Sequence, residues 1–144
     1  MSLRAPAATV PVMTDWLRRN RENWDDRVRV HARSDFYDLA GFRDGACTLR
    51  GFELDELGDV SGKRLVHLQC HMGRDTLSWA LRGAAHVTGL DFSAAAIRTA
   101  RGPAADIGLG DDRARFVTAD VYDAAVPEGH PRVPLMYSIR ATKW

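Results

Sequence analysis

The pattern of apolar and polar positions changes character at Lys63. Ahead of it, residues 14 to 31 (TDWLRRNRENWDDRVRVH) offer Thr14 as an N-cap and then a charged helix with Trp16, Leu17 and Trp24 as its apolar contacts. Residues 34 to 45 (SDFYDLAGFRDG) are aromatic and punctuated by Gly41 and Gly45, which predicts a short helix and a loop. Glu53 to Leu57 predicts another short helix, ended by Gly58 and followed by a turn at residues 59–62.

Beyond Lys63, short apolar runs alternate with amphipathic segments. Arg64 to Leu68 has the pattern of a buried strand, and residues 75–81 place Leu77, Ala80 and Leu81 at helical spacing, with Gly83 as a C-terminal cap. Residues 85–90 predict a second strand ending at Asp91, and Ser93 then caps the helix AAAIRTAR. Gly102 and Pro103 are expected to end or kink that helix. Residues 115–119 predict a third strand ending at Asp120, and Val133 to Ile139 a fourth. Strands alternating with helices over some sixty residues imply an α/β fold built of right-handed βαβ units around a parallel sheet.

Composition narrows the function. With 20 Lys and Arg against 19 Asp and Glu, the 144-residue chain has no basic field to attract nucleic acid. Its apolar runs are too short to span a membrane, and the opening residues lack the apolar core of a secretory signal. Two cysteines are too few for a disulfide framework, so a cytoplasmic location is expected. Residues 1–13 read as a disordered tail, residues 14–62 as an N-terminal helical cap, and residues 63–144 as a partial cofactor-binding domain.

The chemistry concentrates in LVHLQCHMGRD at residues 65–75, where the first strand turns into its helix. In an open α/β sheet, ligands bind beyond the carboxyl ends of the strands. Gly73 allows backbone to come close to a ligand there. Asp91 lies 18 positions further on, near the spacing of about 20 at which dinucleotide-type sites place an acid on ribose hydroxyls. Asp120 stands at the next strand end, with Val121 beside it, in position for an adenine edge. Each acid has an alternative reading as the cap of the turn that follows it. His67, Cys70 and His71 have the donor types of a zinc site but no second ligand pair, and no metal is expected. Cys70 as a nucleophile would need a base and an oxyanion site; at the end of a buried strand it reads as an apolar filler. His67 reads as a core histidine whose ring nitrogens are satisfied by neighbours.

The run from Asn23 to Asp123 resembles the class I S-adenosylmethionine-dependent methyltransferases, in a bacterial subgroup whose first motif is similar to LLHLQCHFGLDTLSWA. The resemblance is carried by residues 23–38, 48–65, HLQCHMGRDTLSWA at 67–80, VTGLDFS at 87–93 and RFVTADVYDA at 115–124. His67, Gln69 and His71 stand where commoner members have an acid and two glycines. The resemblance implies a Rossmann-like sheet with S-adenosyl-L-methionine as cofactor and a small-molecule methyl acceptor. It implies that Gln69, Cys70, His71 and Gly73 line the methionine part. Asp91 would hold the ribose, Phe92 flank the adenine, Asp120 accept from its amino group, and Val121 donate its backbone N–H to the ring. Trp24, His31, Phe36 and Tyr37 are read either as a helical flap packed on the core or as part of the acceptor pocket. His31 and Tyr37 are then the candidate bases.

A full fold of this kind has about seven strands. Residues 132–144 read as a disrupted fourth strand, so the sheet is expected to be incomplete, with an exposed edge that favours self-association. Two rival functions follow: an inactive cofactor-binding or interaction module, and an NAD(P)-binding oxidoreductase domain, which lacks G-x-G-x-x-G.

Overall fold

In a computed structural model, residues 11–35 and 37–124 are described. The N-terminal part is helical: α1 (Pro11–His31), α2 (Leu39–Arg43) and α3 (Gly51–Leu57) precede the sheet. Three parallel strands follow, β1 (Arg64–Leu68), β2 (His86–Asp91) and β3 (Ala114–Thr118), paired in the order β1-β2-β3. Helix α4 (Arg74–Leu81) joins β1 to β2, α5 (Ala94–Asp106) joins β2 to β3, and α6 (Val121–Ala124) leaves β3. Leu68 is registered with Leu90, and Asp91 with Thr118, so the three strands end level with one another.

The burial pattern explains the order. The central strand β2 is buried along its length apart from a half-buried Thr88, whereas β1 leaves Arg64 and Val66 exposed. The core gathers Leu77, Trp79 and Ala80 from α4, Val87 from β2, Ile97, Ala100 and Ala104 from α5, and Phe116 from β3. Each large side chain buried there contributes about 1.5–3 kcal/mol. Phe116 needs two glycines to fit. A Cβ on Gly89 would come within 2.7 Å of its ring, and one on Gly73 within 2.4 Å. Gly73 is also left-handed, at φ 72°, so two independent constraints select glycine there.

Two helix boundaries differ from the sequence reading. Helix α1 is described over Pro11–His31, so residues 11–13 of the expected tail are helical and Thr14 lies inside the helix rather than at its cap. Helix α5 does not end at Gly102 but continues through Pro103 to Asp106. Pro103 is fully buried, and Ala104 beside it joins the core. Losing one ladder bond is outweighed by packing on both sides of the proline. The fourth strand predicted at 133–139 lies outside the described residues.

Candidate functional site

The β1–α4 loop has an alternating backbone. Gln69, His71 and Gly73 all adopt left-handed φ, at 57°, 50° and 72°. Between them, Cys70 and Met72 point inward and are buried. The Cys70 N–H continues the ladder to the Leu90 carbonyl at 3.0 Å, and the Gly73 N–H closes a turn onto the Cys70 carbonyl at 2.9 Å. Pinning every second residue inward turns the residues between them into the left-handed region. Two of those carry a Cβ, which costs on the order of 1–3 kcal/mol each.

Asp91 ties this loop to the next strand end. One carboxylate oxygen accepts from the His71 N–H and the other from the Ser93 N–H, both at 2.8 Å. Asp91 is therefore a cap, as its alternative reading had it, and it caps the first loop as well as its own. Asp120 follows the end of β3 on the same edge, where the Ala119 N–H reaches the Asp91 carbonyl at 3.0 Å. Val121 begins α6 directly after it.

Three N-terminal rings close on the loop. His71 meets Trp24 at 5.4 Å and Tyr37 at 5.6 Å between ring centroids, and its Nε2 lies 3.0 Å from Nδ1 of His31. His31 in turn stacks on Tyr37 at 4.6 Å. Arg74 lies over the Tyr37 ring and donates to the Tyr37 carbonyl. Phe36 lies outside the described residues. Helix α1 also reaches the second strand end: Arg21 sits over Phe92, while the Asp25 carboxylate accepts from Ser93 Oγ at 2.5 Å and from the Ala95 N–H at 3.1 Å. Asp25 was not among the residues singled out from the sequence. Its partner stands 68 positions away, and the only local signal was an acid in a helix rich in them.

Electrostatics separates the ring and thiol groups by role. Burial pushes the Cys70 thiol up to about 12, so it is a protonated apolar filler and not a nucleophile. Burial lowers the pKa of His67, whose Nδ1 lies 2.8 Å from Thr76 Oγ1. Burial, then the neighbouring His31, lowers that of His71. Among the described residues, no group of three or more His, Cys, Asp or Glu is placed to hold a metal ion, and no helix is long and apolar enough to cross a membrane.

A cleft of about 160 Å³ opens beside the loop, between Tyr37, Gln69, His71, Gly73, Arg74 and Asp75, with Cys70 also on its wall. Asp91, Phe92, Asp120 and Val121 are not part of that wall. The predicted residues thus share one edge of the sheet without converging on this single cleft.

No protein-family model matches the chain, and no curated protein matches it. Solved structures do. Phosphoethanolamine N-methyltransferase 1 from Haemonchus contortus, in complex with phosphoethanolamine and S-adenosylhomocysteine, superposes with a TM-score of 0.55 at 20% identity, over 78% of this chain and 22% of its own. An S-adenosylmethionine-dependent methyltransferase from Thiobacillus denitrificans, in complex with S-adenosyl-L-homocysteine, gives 0.42 at 19% identity over 61% of this chain and 37% of its own. A structure concerned with converting a disulfide bond into a thioacetal group during echinomycin biosynthesis is 40% identical over 49% of this chain and 28% of its own, with a TM-score of 0.40. The chain spans well under half the length of each of these three. Its three parallel strands and the helices between them have the Rossmann-like α/β fold of the class I methyltransferases.

Proposed function

We propose that the chain binds S-adenosyl-L-methionine across the carboxyl ends of β1, β2 and β3 and serves methyl transfer to a small-molecule acceptor. The observation that carries this reading is the loop backbone. Residues 69, 71 and 73 keep the left-handed turns that glycines would adopt without strain, although two of them are not glycine. Strain of that kind persists where the surroundings over-determine it, and it clusters at ligand sites. The fold shared with a methyltransferase whose structure holds S-adenosylhomocysteine supports this choice of cofactor.

The residues present fit that group. A carboxylate has about four acceptor sites, and Asp91 uses two on the His71 and Ser93 N–H groups, which leaves two for a pair of ribose hydroxyls. Phe92 would flank the adenine, Asp120 would accept from its amino group, and the N–H of Val121 would meet the ring. Gln69, Cys70, His71 and Gly73, with the cleft between Tyr37 and Arg74, would take the methionine part. Bound there, the cofactor supplies an electrophilic methyl group on a positively charged sulfur. The protein contributes orientation and a dry wall: Trp24, His31 and Tyr37 screen the loop from water. His31 and Tyr37 remain the candidates for accepting a proton from the acceptor.

Melting the protein with and without S-adenosylhomocysteine tests this. At a hundredfold excess over Kd, linkage adds about 2.7 kcal/mol, a rise of roughly 10 °C for a domain of this size. Asp91→Ala should abolish the rise. No rise in the unaltered protein ends the reading, and a rise with NADH in its place returns it to an oxidoreductase domain. A methyl-release assay on the bound protein separates a transferase from a binding module.

A further inference from the structure

We infer, building on the cofactor reading above, that His31 is a positioning residue, whose imidazole latches the end of α1 to His71 and so holds the cofactor loop in its left-handed form. His71 is the junction of the loop. Its backbone sits at φ 50°, its N–H is committed to Asp91, and its ring is committed to α1 through the 3.0 Å contact with His31. A residue with a side chain leaves the left-handed region unless something holds it there. At position 73 the absence of a Cβ removes the penalty. At position 71 the ring contacts to His31, Trp24 and Tyr37 offset it. The latch thus stands in for a missing glycine.

The latch has a limit set by its chemistry. A hydrogen bond between two imidazole nitrogens needs one ring to keep a lone pair, so it tolerates one added proton and not two. The groups facing His71 are His31 and Trp24 from α1, with Arg27 over Trp24, Tyr37 from the following loop, Arg74 from α4 and Asp91 from β2. Asp91 favours a charged ring, whereas burial, His31 and Arg74 oppose it.

Two measurements test this on the full chain at about pH 7.5 and about pH 5.5: calorimetric titration with S-adenosylhomocysteine, and amide hydrogen exchange at residues 69–73 without ligand. The unaltered protein should lose affinity and loop protection at the lower pH, because burial disfavours a charge on the His71 ring. His31→Phe keeps a ring but no polar atom; at the higher pH it should weaken binding and speed loop exchange about tenfold, the equivalent of one hydrogen bond. His31→Gln can still donate or accept, so at the higher pH it should stay within about threefold of the unaltered protein. A His31→Phe protein with unaltered loop exchange at the higher pH overturns the inference. Should that variant fail to fold, a His31→Gln protein whose loop exchange is about tenfold faster at the higher pH overturns it equally. If the unaltered protein binds no S-adenosylhomocysteine, the cofactor reading fails, and the exchange arm still decides the latch.

Discussion

Gly73 and Gln69 have nearly the same backbone conformation and opposite freedom to change it. At Gly73 a Cβ would meet Phe116 at 2.4 Å and Ala100 at 3.0 Å, besides straining the φ of 72°. Gly73→Ala should cost about 2–4 kcal/mol, read as a lower denaturation midpoint. Gln69 is exposed at φ 57°; Gln69→Gly relieves its strain at little loss of packing, and should be neutral or stabilising by up to about 1 kcal/mol. Finding the two equally damaging would disprove the loop geometry. The cysteines make a second contrast. Cys47 is exposed, while Cys70 is buried and its thiol is pushed up to about 12. A thiol reagent at mildly alkaline pH should modify one cysteine quickly and the other only on unfolding. At this scale the sequence was legible where spacing carried the signal, as with Gly73 and Asp91. It was opaque for Asp25 and the His31–His71 pair, whose partners stand 68 and 40 positions apart.

The start of α5 shows how one element collects distant ones. Ser93 accepts from the Ala96 N–H, as its place before an alanine-rich helix predicts. The same hydroxyl donates to Asp25 of α1, which also accepts from the Ala95 N–H, and the Ser93 N–H donates to Asp91. Two carboxylates and one serine thereby join α1, β2 and α5 at the positive end of a helix dipole. Ser93→Ala and Asp25→Ala should each destabilise by about 1–2 kcal/mol. In a double-mutant cycle their sum should exceed the cost of the double variant by about 0.5 kcal/mol or more, because they share a partner. Strict additivity would show that the two groups act separately. Strand and helix positions within this part followed from periodicity almost to the residue. The continuation of α5 through Pro103 did not, since it depends on what the proline packs against.

Among the described residues, helix α1 lies against the same edge of the sheet at which the strands end, so stability and site are coupled. His67 and His71 both have pKa values lowered from 6.5, chiefly by burial. The folded protein then binds fewer protons than the unfolded chain as pH falls below that value. Their contribution is fully present above about pH 6.5 and is lost on acidification through the window beneath it. The melting temperature should accordingly drop between neutral pH and about pH 5.5. His67→Gln, which keeps a polar group for Thr76, should flatten part of that drop. A melting temperature that rises on acidification would contradict the burial of both rings.

The order of strands and helices after Lys63, the parallel sheet and the position of the loop that leaves its first strand were determined by the sequence alone, because periodicity and glycine act over a few residues. Tertiary structure decided the rest. It alone sets which acid is shared between two turns, which rings close on the loop, and why a histidine holds a glycine's conformation. Those are properties of contacts between segments, and a contact exists only once the chain has folded back on itself.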